Sequence, residues 1–134
     1  MSGKIFAAAG ATAIAGMTLG FGLGGASASG KDQTPRPQKG TIWAVVNPDG
    51  TLARNSNDIT GVVHVAAGQY RVFATGDVRN CAYEATAGDP GLNAPPRTYA
   101  DVAQGFFDTR SAFVETYDAT GTRVDSGFYL AILC

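Results

Sequence analysis

The side chains that could support covalent catalysis are few in this sequence, and they form no recognisable catalytic set. The chain has one histidine, His64, which lies among the valines of the run Val62–Val65. A hydrolytic triad needs a nucleophile, a histidine base and an acid that orients the base. Ser56, Ser111 and Ser126 do not follow the Gly-x-Ser-x-Gly pattern of a strained nucleophile turn. We therefore interpret His64 as an outward-facing polar residue of a strand and expect no enzymatic activity.

The acidic residues suggest two other chemistries, glycoside hydrolysis and cation binding. A glycosidase needs two carboxylates on facing elements, and the glutamates of this chain are Glu84 and Glu115. Both fall in predicted strands, where we interpret them as solvent-side residues that alternate with Arg71 or Arg79. Calcium takes oxygen ligands at turns, but aspartate is an ordinary turn residue and no Asp-x-Asp-x-Asp loop occurs. The sequence predicts no cofactor and no metal site, and it leaves calcium binding open at the following aspartates: Asp49, Asp77, Asp89, Asp101, Asp108, Asp118 and Asp125.

Two cysteines, Cys81 and Cys134, are the most informative pair in the chain. They lack the Cys-x-x-Cys spacing of redox and zinc sites. His64 is the one histidine that could join them at a metal or catalytic site. Paired cysteines in an exported chain indicate a disulfide. We predict a Cys81–Cys134 bridge that fastens the last strand of the domain to a central strand.

The charge balance argues against two classes of partner. Ten Lys and Arg residues face eleven Asp and Glu residues, which leaves a formal net charge of −1. Binding to nucleic acid needs a basic surface that displaces counterions, and docking on anionic lipids needs a basic cluster. We therefore expect neither partner. Apolar residues make up 45% of the 134 residues, enough for the core of one domain.

The beginning of the chain has the pattern of a signal peptide. Lys4 precedes a charge-free run that ends in Ala26-Ser27-Ala28, a small-x-small cleavage signature. A membrane anchor of about 20 apolar residues is the alternative, but the many glycines of this run disfavour a stable helix. We predict a signal helix over residues 1–28, a flexible leader over 29–39 and one domain over 40–134. The expected protein is secreted, extracellular or associated with the cell wall, and it has no stable membrane anchor.

Beyond residue 40, apolar residues recur with a period of two, and turn residues follow every eight to twelve positions. Asn47-Pro48-Asp49-Gly50 is typical of a tight turn. In the last predicted strand, Phe128, Leu130 and Ile132 share one face, which we expect to lie in the core. Seven or eight short strands predict an all-β fold, an antiparallel β-sandwich.

One window is ambiguous, because its apolar residues also fit a helix. Tyr99, Val102 and Phe106 have helical spacing, and Pro95-Pro96 upstream could open a helix. We predict a strand over 98–103, with a short helix as the alternative.

Trp43 is the single tryptophan of the chain and lies in the apolar run Ile42 to Val46. We predict that it is buried and anchors the fold, since the run has no polar neighbour before Asn47. The alternative is a stacking platform for a carbohydrate, which needs one open ring face beside polar groups.

Several segments resemble small secreted proteins of actinobacteria that have no assigned function. The opening Trp43-Ala44-Val45-Val46-Asn47-Pro48-Asp49-Gly50, the strand Gly68-Gln69-Tyr70-Arg71-Val72-Phe73 and the ending Phe128 to Cys134 carry the resemblance. The opening and the Gly-x-Tyr-x-Val strand are also distantly similar to modules at the ends of phage tail fibres. That second resemblance implies a β-sandwich used for binding, often in trimers, and neither resemblance brings a catalytic residue.

These observations predict a secreted, non-catalytic binding or cell-surface module. Its expected partner is an extracellular protein or a cell-wall glycan, and a homo-oligomer is one expected form. The Pro- and Gly-rich loop over residues 87–97 is the predicted recognition element, because sandwiches present ligands with their loops. The alternative function is protease inhibition by the same loop. Its candidate contact residues are Asp89, Leu92, Asn93 and Arg97.

Overall fold

The structure, a computed structural model, describes residues 34–134. The predicted signal helix, its cleavage site after Ala28 and residues 29–33 of the predicted leader lie outside the described residues. Within residues 34–134 the chain forms strands, turns and bends but no helix. No helix long and apolar enough to cross a membrane therefore occurs in this part of the chain.

Eight antiparallel strands form two four-stranded sheets, which confirms the predicted all-β sandwich. The strand order is β2-β1-β8-β5 in the first sheet and β3-β4-β7-β6 in the second sheet. The strands are β1 (Thr41–Val46), β2 (Leu52–Asn55), β3 (Ile59–Ala66), β4 (Gln69–Ala74), β5 (Ala82–Ala87), β6 (Tyr99–Gln104), β7 (Ser111–Tyr117) and β8 (Phe128–Leu133).

Strand alternation sends one set of side chains into the space between the sheets. Phe128, Leu130 and Ile132 of β8 are buried, as their shared face predicts. Tyr70 of β4 is fully buried, and its ring centroid lies 5.0 Å from that of Phe128. These two rings join the sheets at the centre of the core. The other buried core residues are Ile42, Ala44, Val46, Ile59, Val72, Ala74, Val78, Ala112 and Val114.

The tight turn predicted at Asn47-Pro48-Asp49-Gly50 connects β1 to β2. Gly50 has a φ of 90°, a conformation that glycine adopts without strain. The Asp49 carboxylate accepts the Thr51 N–H at 3.0 Å and closes the turn from within. The turn residues chosen from the sequence therefore have the local roles that their chemistry predicts.

Residues 99–104, where strand and helix competed, form strand β6. Each residue from Tyr99 to Gln104 pairs with a residue of β7, and the hydrogen bonds of this ladder replace part of those that a helix would have formed internally. Gly105 ends the strand, and its N–H donates to the Ser111 carbonyl at 2.8 Å. Long-range pairing therefore overrides the helical spacing of the apolar residues.

The predicted disulfide between Cys81 and Cys134 is present, with its Cα atoms 4.5 Å apart. The position of Cys81 differs from the prediction. Cys81 precedes β5, which is an edge strand of its sheet, whereas the sequence predicts a central strand at this position. Because β8 supplies the central position, the bridge joins the end of a central strand to the start of an edge strand.

The segment before β1, expected to be a mobile leader, is hydrogen-bonded to the domain at its described end. Gln38 N–H donates to the Asp77 carbonyl at 2.8 Å, and Asp77 N–H donates to the Arg36 carbonyl at 2.7 Å. A Cβ on Gly76 would lie 2.6 Å from the Arg36 carbonyl oxygen, so this approach requires glycine. Residues 36–38 thus lie against the turn that precedes β5.

Candidate functional site

Trp43 lies on the outer face of the first sheet, and the prediction that it is buried in the core is wrong. Its side chain is 41% exposed, whereas Ile42 and Ala44 on either side are buried. Successive side chains of a strand point to opposite faces. With Ile42 and Ala44 facing the core, Trp43 must face outward. The alternative interpretation of this residue, an exposed aromatic platform, is therefore the one compatible with the fold.

The indole borders a shallow hollow of about 250 Å³ on this outer face. Register places Trp43 opposite Ala131 of β8, and Ala131 opposite Glu84 of β5, so the three residues form one row. The neighbouring row contains Val45, Tyr129 and Thr86. Ala131 is the small residue between two larger ones, and it leaves room for the hollow. The complete lining is Trp43, Ala44, Val45, Glu84, Thr86, Tyr129, Leu130 and Ala131.

Tyr129, the second aromatic residue of the hollow, is held in place from three sides. Its hydroxyl donates to the Asp89 carbonyl at 2.7 Å. The Arg54 guanidinium carbon lies 6.0 Å from the ring centroid, within the range of a cation–π contact. A Cβ on Gly88 would lie 2.5 Å from Tyr129 Cε2, so only glycine allows the ring to occupy this position. The phenol is 37% exposed and presents a fixed surface to solvent.

Arg54 also explains why Val45 is buried although it faces away from the core. Val45 is 4% exposed but lies outside the core cluster. Arg54 pairs with Val45 in the β1–β2 register, and its guanidinium extends to the Tyr129 ring and donates to the Pro90 carbonyl at 2.8 Å. The Arg54 side chain thus runs across Val45 on its way to Tyr129 and Pro90, and it covers the valine. Long cationic side chains commonly cover apolar surface in this way.

Glu84 is exposed, and its carboxylate makes no hydrogen bond or ion pair within the described residues. The other glutamate differs in its surroundings. Glu115 accepts a hydrogen bond from Gln69 Nε2 at 2.8 Å and pairs with Arg123 at 2.7 Å. The hydrogen bond from Gln69, with those from Tyr117 and Arg123, holds the pKa of the Glu115 carboxyl below its ordinary value. Arg79 pairs with Asp77 and with neither glutamate, whereas Arg71 shares the outer face of the β4–β7 pair with Glu115.

The predicted recognition loop over residues 87–97 borders the same face, since Asp89 and Pro90 accept the bonds from Tyr129 and Arg54. The Asp89 carboxylate turns inward and accepts the N–H groups of Gly91 and Asn93 at 2.8 and 3.1 Å. These bonds hold the pKa of Asp89 below its ordinary value, with the Asn93 N–H as the main cause. Asp89 therefore shapes the loop.

The other three candidate residues of the loop differ in their freedom to contact a partner. The Asn93 side-chain amide donates to Asp89, so it too stabilises the turn. Leu92 is fully exposed at the tip. Arg97 is exposed and has a φ of 37°, an unusual conformation for a residue with a side chain. Of the four candidates, Leu92 and Arg97 are thus the side chains free to touch a partner.

His64 joins a cluster at one end of the sandwich. Its Nε2 lies 2.8 Å from Asp125 Oδ1, and its ring stacks on Tyr70 with centroids 4.8 Å apart. The same oxygen of Asp125 accepts the Gly68 N–H at 2.7 Å. Tyr70 donates its hydroxyl to the Pro48 carbonyl at 2.7 Å. Among the described residues no serine, threonine or cysteine is hydrogen-bonded to His64, so the cluster ties three chain segments together and lacks a nucleophile for a triad.

Asp125 gives this cluster a dependence on pH. The Gly68 N–H, followed by His64, holds the pKa of the Asp125 carboxyl below its ordinary value of 3.8. A carboxyl whose folded pKa is depressed stabilises the fold above its unfolded pKa, and this stabilisation is lost as the pH falls through the folded pKa. We expect the melting temperature to fall between about pH 5 and about pH 2, and Asp125→Asn to remove part of that fall. Thermal unfolding followed by circular dichroism over this range provides the measurement.

A matched control is Asp101→Asn, because Asp101 is exposed on the second sheet and its side chain has no hydrogen bond or ion pair among the described residues. This variant should keep the pH profile of the unaltered protein. If the melting temperature of Asp125→Asn depends on pH in the same way as that of Asp101→Asn, the assigned role of Asp125 is contradicted.

Four of the aspartates at which the sequence leaves calcium binding open use their carboxylates within their own turns. Asp49, Asp77, Asp108 and Asp118 each accept a backbone N–H from a residue two positions later. Their oxygens thus complete their own turns. Within residues 34–134 no group of three or more His, Cys, Asp or Glu side chains is arranged to hold a metal ion.

Comparisons of the chain with protein-family models, with curated protein sequences and with solved structures found no match. The proposed function therefore rests on the outer face of the first sheet.

Proposed function

We propose that this chain is a secreted, non-catalytic carbohydrate-binding module whose glycan site is the hollow on the outer face of the first sheet. The observation that carries the proposal is the exposed indole of Trp43 beside the fixed phenol of Tyr129. A bulky aromatic residue stabilises a fold most when it is buried. A site at which two aromatic rings are exposed instead, around a hollow, is suited to a ligand that covers them.

The lining of the hollow supports a sugar as the ligand. A pyranose has an apolar face that packs on an aromatic ring and hydroxyl groups at its rim. Glu84 and Thr86 lie on the β5 side of the hollow and provide hydrogen-bonding groups for those hydroxyls. Binding sites commonly combine an apolar surface with a few polar groups that fix orientation. A volume of about 250 Å³ is below the range of about 300–1,000 Å³ typical of drug-sized ligands, which suits one ring of a longer chain.

Secretion belongs to the same proposal and is supported by two observations. The disulfide is compatible with an extracellular location, because such bonds persist in oxidising compartments. The sequence of residues 1–28 has the pattern of a signal peptide. A secreted protein that binds glycans meets them at the cell wall or in the medium.

Trp43→Ala tests the proposal directly. Binding is measured by co-sedimentation with insoluble peptidoglycan, chitin, chitosan and cellulose. We expect the unaltered protein to bind at least one of these and Trp43→Ala to bind at least about tenfold more weakly, since an anchoring aromatic residue contributes 1–2 kcal/mol or more. Trp43 is the only tryptophan, so iodide should quench its fluorescence strongly, and the bound glycan should reduce that quenching.

The matched control is Tyr99→Ala, because Tyr99 is 46% exposed but lies on the second sheet. This variant should bind like the unaltered protein. Equal binding by Trp43→Ala and Tyr99→Ala would overturn the proposed site. A different result would assign the outer face to self-association. In that case the unaltered protein would form dimers, Trp43→Ala would be monomeric, and neither protein would bind a glycan.

A second candidate function, protease inhibition, is favoured by the tip of the loop over residues 87–97. Leu92 is fully exposed there, and the loop is braced by Asp89 from within and by Arg54 and Tyr129 from the sheet. A rigid loop with an exposed apolar side chain suits the primary pocket of a serine protease. Incubation with subtilisin and chymotrypsin separates the two functions. Stoichiometric inhibition that Leu92→Gly abolishes, without any glycan binding, would favour the inhibitor.

A further inference from the structure

We propose that the hollow selects a sugar unit that carries a protonated amino group, so that its ligand is a glycan containing free amino sugars. This inference rests on the proposed function and names the ligand class of the same site. It is carried by Glu84, whose carboxylate borders the hollow, is exposed and forms no ion pair with any residue of the range 34–134.

Glu84 has a defined position relative to the indole of Trp43. Glu84 and Trp43 flank Ala131 in one row across β5, β8 and β1. Two strand spacings, about 10 Å, therefore separate their backbones, and both side chains rise from the same face. A sugar ring above Ala131 lies between a carboxylate on one side and an aromatic surface on the other.

Glu84 and Trp43 favour the same kind of ligand group. A carboxylate attracts an ammonium group through charge, and the face of a tryptophan ring also attracts cations. The Tyr129 ring already has the Arg54 guanidinium 6.0 Å from its centroid, so its contribution is an apolar surface. A neutral hydroxyl or an N-acetyl group gains a hydrogen bond from Glu84 at most, and a uronic acid is repelled.

No cation within residues 34–134 is paired with Glu84. Of the eight residues that line the hollow, Glu84 alone carries a formal charge. The nearby cation Arg54 comes from β2, at the other edge of the sheet from β5. Its guanidinium lies over the Tyr129 ring and donates to the Pro90 carbonyl at 2.8 Å. Among the described residues no ion pair joins Arg54 to Glu84, so the Glu84 carboxylate is available to an ammonium group.

The test compares two soluble probes of equal length, the hexamer of glucosamine and the hexamer of N-acetylglucosamine. Titration calorimetry at about pH 5.5, where the amine is protonated, measures the Kd of each. We expect about fivefold tighter binding of the glucosamine hexamer, because an exposed ion pair and a cation–π contact each contribute a modest amount. Glu84→Gln should abolish this preference, and added salt should weaken it. The control Asp101→Asn removes an exposed acid from the second sheet and should keep the preference.

The outcomes separate this inference from the proposed function. Equal Kd values for the two hexamers, or a preference that survives Glu84→Gln, would overturn the selection of amino sugars and leave the glycan site standing, provided that Trp43→Ala still weakens binding. Failure of both hexamers to bind, together with no effect of Trp43→Ala on the insoluble glycans, would overturn the proposed function and this inference with it.

Discussion

Replacing both Cys81 and Cys134 by serine is expected to lower the melting temperature of the domain by about 15–30 °C. The disulfide closes a loop between residues 53 positions apart. Loop-closure entropy in the unfolded chain makes such a bridge worth about 4 kcal/mol. In a domain of about 100 residues each kcal/mol moves the melting temperature by about 4–8 °C. The double variant leaves no free thiol, and thermal unfolding followed by circular dichroism gives the midpoint.

Chemical reduction of the unaltered protein offers an independent control, because it removes the same covalent link without changing any residue. The reduced protein should melt close to the midpoint of the double serine variant. A shift below about 5 °C in both samples would contradict the assigned role of the bridge. It would mean that the hydrogen bonds of β8 to β1 and β5 hold the end of the chain without it.

Phe128→Ala is expected to lower the free energy of unfolding by about 3–5 kcal/mol, as truncations of buried phenylalanines do. Phe128 is fully buried, and its ring packs on Tyr70, which is fully buried as well. The substitution leaves a cavity between the two sheets that the surrounding strands fill only in part. Urea unfolding measures the loss, and an unchanged slope with denaturant shows that the native fold is kept.

Leu133→Ala is the matched control on the same strand. Leu133 lies on the opposite face of β8 and is 39% exposed. This variant should lose about 1 kcal/mol or less, within the usual range for surface positions. Equal losses for Phe128→Ala and Leu133→Ala would mean that the inward and outward faces of β8 have been assigned wrongly.

Much of the fold follows from local patterns. Alternation at period two and turn residues at regular spacing predict the strands, because both arise from contacts between residues near in sequence. Gly50 and Asp49 form their turn for the same reason. The ambiguous residues 99–104 become a strand because β7 lies beside them, a neighbour that local spacing does not reveal.

The orientation of β1 does not follow from its own sequence. All five residues from Ile42 to Val46 are apolar, so no polar residue marks the outer face, and the sequence therefore predicts a buried Trp43. The neighbouring strand decides the matter. Ala44 pairs with Leu130 and Ile42 pairs with Ile132, and both partners face the core. A strand that pairs with β8 in this register must turn its tryptophan outward.

The candidate site depends on pairings between distant parts of the chain, which local patterns do not reveal. Glu84, Ala131 and Trp43 come from β5, β8 and β1 and meet only through register. The signal that could have found them is the strict alternation of β8. Once Phe128, Leu130 and Ile132 are placed inside, Tyr129 and Ala131 must lie outside. The bracing of Tyr129 by Asp89 and Arg54 has no counterpart in the sequence pattern.

The first and last residues of the sandwich lie next to each other, near the candidate site. The Cys134 N–H donates to the Gly40 carbonyl at 2.8 Å, and Thr41 pairs with Leu133. Two residues further along each strand are Trp43 and Ala131, about 7 Å away. A fluorescent protein or a solid support attached at either boundary without a spacer would therefore crowd the hollow. Fusions for imaging or immobilisation need several flexible residues at that junction, whichever end of the sandwich carries the attachment.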